Sequence, residues 1–343
     1  MSGIGPGMET ELAQAPDAVR RQAQALSEPV ATLLARLRRT PPSLVVTCAR
    51  GSSAHAATFG KHLIERHLGI PCAAFAPNIA TVYRRPLRLA DQLFLTISQS
   101  GRSDDLVEST AMARAAGALT VALVNDIDSP LARAAELVLP IGAGQELSVA
   151  ATKTFVATLA ALLRLTAAWT GDRLLAAALD RLPDRLAAAT TLDWSAAVDT
   201  LSRANSLVSI GRGPTLAIAR EASLKFKETC NLHAEAFSGA EFMHGPVSLV
   251  SNSYPVLMFM PTDQAAEGLR ALAAELGRKG ASVFATEHSS DDAGILPALA
   301  PDHPDTDAIC LIQSFYALAV RVGGRRGTNV DQPRHLRKVT RTR

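Results

Sequence analysis

Short apolar runs alternate with amphipathic segments along most of this chain. Leu44 to Cys48, Phe94 to Ile97 and Leu119 to Val124 are apolar and rich in β-branched residues, as expected of buried strands in a parallel sheet. Apolar residues recur at helical spacing from Ala56 to Leu68, and Gly69 is well suited to end that helix in a left-handed conformation. Strands that alternate with helices in this way predict a parallel sheet with helices on both faces.

Further elements extend the pattern on both sides. Residues 8 to 38 form an amphipathic helical segment that ends before Pro41-Pro42. A helix is predicted after Ser103, and a further helix and strand between Leu131 and Leu139. The Ala/Leu-rich stretch from Thr152 to about Ala188 is mostly helical and links two halves.

The two halves repeat each other. Arg50-Gly51 and Arg212-Gly213 follow similar apolar runs, SLVVTCARG and SLVSIGRG, and at the same spacing the run Leu93 to Ile97 corresponds to Pro255 to Phe259. We therefore predict an α/β protein with two similar, doubly wound parallel-sheet domains of flavodoxin-like type in tandem. The predicted divisions are an N-terminal helical segment, two domains and a C-terminal tail, covering residues 1–34, 35–175, 190–333 and 334–343.

Composition limits the setting of the protein. The chain has 343 residues, of which 48% are hydrophobic and 20% charged, which is enough for two packed domains and unlike a disordered chain. Its four cysteines show no CxxC pairing, and the N-terminus does not read as a signal peptide, so we expect a reducing cytoplasm. Apolar runs are too short to span a bilayer, which predicts no membrane role.

The C-terminal residues 321 to 343 are strongly basic, with seven arginines and Lys338 against Asp331 alone. A basic tail can bind nucleic acid, but this one has no aromatic residue to stack on bases and accompanies no helix-turn-helix or zinc spacing. We therefore predict no nucleic-acid partner. The remaining alternatives are a solvated terminus and a lid that meets an anionic small molecule.

Two hydroxyl-rich turns directly follow predicted strands of the first half, where open α/β sheets bind their ligands. They are Gly51-Ser52-Ser53 and the segment Ser98-Gln99-Ser100-Gly101-Arg102-Ser103. Small hydroxyls and free backbone N–H groups at a helix start can hold a phosphate. Helix capping by serine is the simpler alternative. The second half has Pro214-Thr215 where the first has Ser52-Ser53, so we expect phosphate binding in the first half and acid–base chemistry in the second.

The segment from Glu221 to Pro246 concentrates ionisable groups. If it is helical from Pro214, the spacing of Glu221, Lys225 and Glu228 puts these three residues on one face of the helix. The alternative is an ion-pair ladder on a solvated helix surface, worth a few tenths of a kcal/mol. Four more ionisable residues follow among small ones: His233, Glu235, Glu241 and His244.

Motifs for cofactors and metals are not found. There is no GxxxxGK[ST] loop and no GxGxxG with an acidic partner, and His233 and His244 do not have HExxH spacing. We predict no cofactor and no metal.

Five blocks of sequence resemble the sugar isomerase (SIS) domain pair of glucosamine-6-phosphate synthases. In chain order they are ARGSS, SQSGRSDD, SVAATKTF, EASLKFKETCNLHAEAFSGAEFMHGP and DQPRHLRKVT. They extend the resemblance from about residue 35 to residue 343, and the fourth and fifth blocks are specific to this branch. Those synthases also have an N-terminal glutaminase domain with a cysteine nucleophile. The start MSGIGPGMETELAQAP leads directly into the SIS part, so we expect no use of glutamine as an ammonia source.

A free-standing SIS pair is similar to the SIS-type glucosamine-6-phosphate deaminases, and the ending Lys338-Val339-Thr340 is also closer to them. This resemblance implies a deaminating aldose–ketose isomerase that converts glucosamine 6-phosphate and water to fructose 6-phosphate and ammonia. Three alternatives stay open: a related enzyme acting on galactosamine 6-phosphate, a deglycase acting on a fructosamine 6-phosphate, and a non-catalytic sugar-phosphate sensor.

The resemblance also implies roles for individual residues. Glu228 matches the base that moves a proton between C1 and C2, His244 the ring-opening group, and Lys338 the tail lysine that meets the open-chain sugar. Glu221 and Lys225 match a supporting charge network. The phosphate-binding positions are matched by Ser52, Ser53, Ser98, Gln99, Ser100 and Ser103. The backbone near the sugar is matched by Val149 and Ala150.

Four details complete the expectation. Ala151 stands where the family usually has serine, so one hydroxyl near the sugar is missing. The resemblance implies a homodimer with shared active sites, in which His244 reaches the partner's site. Lys338 can act as a Schiff base or as an electrostatic clamp, and both roles remain open. We interpret His233 as a hydrogen-bonded structural histidine.

Overall fold

The computed structural model describes residues 7–288 and 294–338. The chain divides into two compact units. The serine unit comprises residues 17–146, 153–180 and 337–338, and the carboxylate unit comprises residues 7–16, 147–152, 181–288 and 294–336. The domain boundaries given above remain a prediction.

The helices of the described residues follow in chain order: α1 (Met8–Ala13), α2 (Ala15–Arg39), α3 (Gly51–Leu68), α4 (Asn78–Thr81), α5 (Asp104–Ala115), α6 (Pro130–Ala134), α7 (Lys153–Thr170), α8 (Arg173–Thr190), α9 (Val198–Arg203), α10 (Thr215–Cys230), α11 (Gly239–Met243), α12 (Ala266–Arg278) and α13 (Pro304–Arg325). The strands are β1 (Val45–Cys48), β2 (Cys72–Ala74), β3 (Leu93–Ser98), β4 (Leu119–Val124), β5 (Leu137–Pro140), β6 (Ser206–Gly211), β7 (His233–Ser238), β8 (Pro255–Met258), β9 (Ser282–Glu287) and β10 (Ile295–Pro297).

The serine unit contains a parallel sheet in the order β2-β1-β3-β4-β5. Its central strands β1 and β3 are buried along their whole length, as their continuous apolar runs predict. The strand order changes direction between these two strands, and Cys48 at the end of β1 pairs with Thr96 of β3. Ligands of open α/β sheets bind outside the carboxyl ends of the strands at such a point.

The carboxylate unit contains a second parallel sheet in the order β10-β9-β8-β6-β7, which is the same topology. Helices α10 and α13 pack together beside it, with the rings of Phe226 and Phe315 in an edge-to-face contact at 5.0 Å. Phe259 extends this aromatic cluster, with its ring 5.9 Å from that of Phe315. This packing fixes the position of α10, which bears three predicted site residues.

The predicted α/β fold with two doubly wound sheets is confirmed. The repeated Arg-Gly turns adopt the same left-handed conformation, with φ of 55° at Gly51 and 57° at Gly213. The runs matched by the repeat lie in β3 and β8, the third strand of each half. The long Ala/Leu-rich stretch is two helices, α7 and α8, because the chain turns at Gly171 with φ of 73°. In the described part of the chain, no helix combines the length and apolar character needed to cross a membrane.

Candidate active site

The two predicted phosphate-binding turns follow the neighbouring strands β1 and β3 of the serine unit. Ser52 and Ser53 lie in the first turn of α3, and Ser103 occupies the N-cap position of α5. The hydroxyl of Ser103 makes no capping hydrogen bond, and the N-cap of α3 is Arg50, whose side chain also makes none. Capping therefore does not account for Ser103. The start of α5 keeps backbone N–H groups that no cap side chain satisfies.

The turn from Ser98 to Ser103 has a tightly determined shape. Ser98 Oγ accepts a hydrogen bond from the Gly101 N–H at 3.1 Å, and Ser100 Oγ accepts one from the Arg102 N–H at 3.3 Å. Gly101 has φ of 62°, and a Cβ there would lie 2.1 Å from Ser129 Oγ. Only glycine fits this position without moving its neighbours.

An ion pair joins the two turns. The Arg50 guanidinium, just before Ser52, lies 2.9 Å from the carboxylate of Asp105 in the first turn of α5. Asp105 is buried, with 1% of its side chain exposed, so Arg50 offsets a negative charge that would otherwise oppose an anion here. The sequence blocks contain both residues, but their pairing was not predicted. Two helix N-termini with several hydroxyls can bind a phosphate group.

The three predicted residues of α10 are in direct contact in the carboxylate unit. The Lys225 ammonium lies 3.3 Å from the Glu221 carboxylate and donates a hydrogen bond to Glu228. Burial lowers the pKa of Lys225, but the attraction of Glu221 and Glu228 and their hydrogen bonds outweighs it, so the pKa is raised overall. Exposed side-chain fractions are 0% for Glu221 and 1% for Lys225, against 21% for Glu228. The alternative of a solvated surface ladder is therefore wrong.

Glu228 opens onto a cavity of about 320 Å³ in the carboxylate unit. The lining is polar and basic; its further residues include Asn329, Gln332 and Arg334. Arg326 is held in the wall by hydrogen bonds to four backbone carbonyls, those of Ser202, Ala204, Cys230 and Asn231. A partly exposed carboxylate beside such a cavity can exchange protons with a bound polar molecule.

Lys338 is paired with a carboxylate that the sequence analysis missed. Its ammonium lies 3.4 Å from Glu146 Oε2 in the serine unit, and the Glu146 side chain is fully buried. The Thr154 N–H donates to the other carboxylate oxygen, Glu146 Oε1, at 3.3 Å. Glu146 lies just before the SVAATKTF block and belongs to none of the sequence motifs described above. Nothing in its position along the chain therefore indicated a contact with Lys338. Val339 and Thr340, named with Lys338 above, lie outside the described residues.

His244 directly follows α11 and is exposed. The next residue, Gly245, has φ of 130°, a backbone conformation that side-chain-bearing residues rarely adopt. Within residues 7–288 and 294–338, no hydrogen bond or ion pair joins His244 to the cluster on α10. His233 is exposed at the first residue of the edge strand β7, which does not fit our interpretation of it as a structural histidine.

The backbone predicted to lie near the sugar is in the segment 147–152 of the carboxylate unit. Ala150 is buried, whereas Val149 and Ala151 are half-buried. The Val149 N–H donates to the carbonyl of Asp331 at 3.4 Å, which connects this segment to the DQPRHLRK block.

The described residues contain no group of three His, Cys, Asp or Glu side chains arranged to hold a metal ion. All four cysteines are buried and unpaired. Burial raises the pKa of Cys48, Cys72 and Cys310 to about 12 and that of Cys230 to about 11, so these thiols are poor nucleophiles near neutral pH.

Comparisons with known proteins agree with this architecture. A candidate phosphosugar isomerase from Silicibacter pomeroyi DSS-3 is 44% identical, with a TM-score of 0.89 over 94% of this chain and 99% of that chain. The C-terminal domain of glucosamine-fructose-6-phosphate aminotransferase from Francisella tularensis is 25% identical, with a TM-score of 0.87 over 96% of this chain and 99% of that chain.

Among curated proteins, the isomerizing glutamine–fructose-6-phosphate aminotransferase of Symbiobacterium thermophilum is 33% identical over 315 residues. The match covers 86% of this chain and 51% of that protein, so the chain spans about half the length of the curated relatives it matches. The SIS domain family matches residues 42–168 and 200–293, which is more than half of the chain. With two sheets of the same doubly wound topology in these regions, the chain belongs to the SIS domain family.

Proposed function

We propose that this protein is a deaminating aldose–ketose isomerase that converts glucosamine 6-phosphate and water to fructose 6-phosphate and ammonia. The observation that carries the proposal is the Glu221–Lys225–Glu228 cluster, in which two charged side chains are buried and only Glu228 meets a polar cavity. Isomerisation needs one base that can reach both C1 and C2. The names of the similar proteins, which refer to phosphosugar isomerases and to a fructose-6-phosphate aminotransferase, support this reaction class.

The proposed reaction begins with ring opening, in which His244 transfers protons between O1 and O5, as an imidazole can near neutral pH. Glu228 then removes the proton from C2 of the open-chain aldehyde while O1 takes up a proton, which gives an enaminol. Return of the proton to C1, with loss of one proton from the nitrogen, leaves an imine at C2 and a hydroxymethyl group at C1. Water adds to C2, and the C–N bond breaks to release ammonia and the ketone of fructose 6-phosphate. The reaction uses water and needs no redox partner.

The remaining residues bind and orient the sugar. The serine turns hold the phosphate through hydroxyls and helix N-termini, involving Ser52, Ser53, Ser98, Gln99, Ser100 and Ser103. The backbone of Val149 and Ala150 contacts the sugar chain. Lys338, whose ammonium is paired with the buried Glu146, acts on the open-chain form. Glu221 and Lys225 fix the position of Glu228.

The proposal includes a homodimer in which His244 of one protomer serves the site of the other. The exposure of His244, and its lack of a described contact with the α10 cluster of its own chain, support this part. The proposal also includes a cytoplasmic setting, because four buried unpaired cysteines suit a reducing compartment.

The decisive experiment incubates the purified protein with glucosamine 6-phosphate and measures the ammonia and the fructose 6-phosphate that are formed. We expect equal amounts of the two products. A Glu228→Gln variant is the negative control. The same assay with galactosamine 6-phosphate and with a fructosamine 6-phosphate tests the neighbouring substrates. If the protein converts only one of these two compounds and not glucosamine 6-phosphate, that compound is the substrate and the proposed substrate is wrong. Binding of sugar phosphates without turnover of any of them would indicate a sensor and refute the enzyme.

A further inference from the structure

The short N-terminal helix α1 contacts the segment 147–152 within the carboxylate unit. The Glu11 side chain on α1 is buried, and its two carboxylate oxygens accept hydrogen bonds from consecutive backbone N–H groups. Oε1 accepts from Leu147, and Oε2 accepts from Ser148 at 3.1 Å. These are the two residues that directly precede Val149 and Ala150.

Asp331 makes a second connection at the same place. Its Oδ1 accepts a hydrogen bond from the Met8 N–H at 2.6 Å, and its carbonyl accepts one from the Val149 N–H at 3.4 Å. A Cβ added at Gly7 would lie 2.7 Å from Asp331 Oδ2, so a side chain there would displace the Asp331 carboxylate. We call the set Gly7, Met8, Glu11 and Asp331 the α1 clamp.

The α1 clamp is also anchored to the helix pair that supports Glu228. Gln313 on α13 donates a hydrogen bond to the Leu12 carbonyl of α1 at 2.9 Å. Helix α13 packs against α10 through the rings of Phe315 and Phe226. A continuous path of contacts thus runs from the segment 147–149 through α1 and α13 to α10.

The burial of Glu11 is costly unless its charge is compensated. In the described part of the chain, no lysine, arginine or histidine lies within ion-pair distance of this carboxylate. Its compensation comes from the two N–H groups, and charge-assisted hydrogen bonds of this kind are short and strong. The geometry of residues 147 and 148 is therefore tied to the two side-chain oxygens of Glu11.

We infer that Glu11 is a positioning residue for sugar binding: it holds the Val149–Ala150 backbone in register with the helix that bears Glu228. The inference rests on the proposed function, in which that backbone contacts the sugar chain and not the phosphate. It assigns a role to the N-terminal helical segment, which the sequence suggested only as an amphipathic element.

Glu11→Gln tests this role, because it replaces a two-oxygen acceptor with a group that has one acceptor and one donor. Glu9→Gln is the matched control, since Glu9 lies on the same helix and is exposed. Two properties are measured: hydrogen exchange of the amides of residues 147–149 in the ligand-free protein, and affinities for fructose 6-phosphate and for inorganic phosphate. For Glu11→Gln we expect exchange at Leu147 and Ser148 to accelerate at least about tenfold and fructose 6-phosphate to bind about tenfold more weakly. The affinity for inorganic phosphate should stay unchanged, and Glu9→Gln should change none of these values.

Gly7→Ala perturbs the α1 clamp at its other carboxylate, because the added Cβ crowds the side chain of Asp331. It should weaken fructose 6-phosphate binding in the same selective way, and it keeps the inference testable if Glu11→Gln folds poorly. Unchanged exchange in Glu11→Gln would refute the contact. Faster exchange with unchanged sugar-phosphate affinity would reduce Glu11 to a structural residue. If the wild-type protein binds no fructose 6-phosphate while the exchange effect is present, the proposed function fails and the sugar-positioning role fails with it.

Discussion

The ammonium group of Lys225 lies 3.3 Å from the carboxylate of Glu221, and both side chains are excluded from solvent. Lys225 also donates to Glu228, so one buried cation serves two carboxylates on the same helix. Removing one member of a buried charged group leaves the others without compensation. The cluster thus holds the carboxylate of Glu228, which is the member of the cluster that lines the cavity.

Under the proposed function, replacing Glu228 with glutamine should separate binding from catalysis. The amide is similar in size but cannot accept the proton from C2, so turnover should fall by at least about a hundredfold, the usual contribution of a general base. Affinity for fructose 6-phosphate should stay within about threefold, because the serine turns and the Val149–Ala150 backbone remain. Steady-state kinetics and calorimetric binding measure the two effects. Glu235→Gln changes an exposed carboxylate on β7 and should behave like the wild type; a near-normal rate in Glu228→Gln would disprove the assigned base.

Lys225→Met should destabilise the fold strongly. It leaves the buried Glu221 without its cation, a change that typically costs about 3–5 kcal/mol. Lys227→Met is the matched control, because Lys227 is exposed two residues further along α10, and it should change the free energy of unfolding by less than about 0.5 kcal/mol. Urea denaturation measures both variants. Equal stabilities of the two variants would mean that the cluster contributes nothing to the fold.

The stabilisation by Lys225 should also depend on pH in a defined direction. The pKa of Lys225 is raised in the folded state above its ordinary value of 10.5. The contribution of the charged side chain is therefore fully present below that value and is lost as pH rises through the folded pKa. The difference in unfolding free energy between wild type and Lys225→Met should be constant from neutral pH to about pH 10 and should shrink above it. A difference that already shrinks as pH rises from about 7 to about 9 would contradict this assignment.

Ser103→Ala should weaken phosphate binding without weakening the fold. The Ser103 hydroxyl makes no capping bond, so its removal should cost α5 little, whereas the affinity for inorganic phosphate should fall several-fold. Ser238→Ala should give the opposite result. Ser238 Oγ accepts a capping hydrogen bond from the Glu241 N–H at 3.2 Å, so its loss should lower the free energy of unfolding by about 1 kcal/mol and leave the phosphate affinity unchanged. Thermal unfolding and phosphate titration distinguish the variants. If Ser103→Ala loses stability but keeps its affinity for phosphate, Ser103 has a structural role and does not bind phosphate.

A mixing experiment tests the shared site. If Glu228 and His244 of different protomers form one site, mixing inactive Glu228→Gln and His244→Ala chains in equal amounts creates heterodimers with one intact site. Random reassociation of a two-fold dimer then restores about a quarter of the wild-type activity. Light scattering establishes the oligomer first, and each variant mixed with itself is the control. No recovery from a verified heterodimer would mean that each chain supplies both residues to its own site.

Local sequence pattern was sufficient to predict the fold because continuous apolar runs, helical spacing and two Arg-Gly turns all indicate the same architecture. The helix bearing Glu221, Lys225 and Glu228 was predicted almost to its first residue. Its burial was not, because helical spacing identifies a face but does not say whether that face meets water or another helix. Helix α13, which covers α10, lies far along the chain.

The buried carboxylates Glu11 and Glu146 illustrate the same limit. An acidic residue in an amphipathic segment is expected to face solvent. Glu11 instead finds two backbone N–H groups distant in sequence, and Glu146 finds Lys338. Backbone N–H groups have no residue-type signature, so partners of this kind are visible only in the folded chain.

Gly51 and Gly213 have nearly the same φ, although only the first is followed by serines. The left-handed turn is thus present whether serines or Pro214-Thr215 follow it, which indicates that the path from strand to helix requires this glycine irrespective of any ligand. The strand–turn–helix connection and the side chains beside it can therefore change independently of each other.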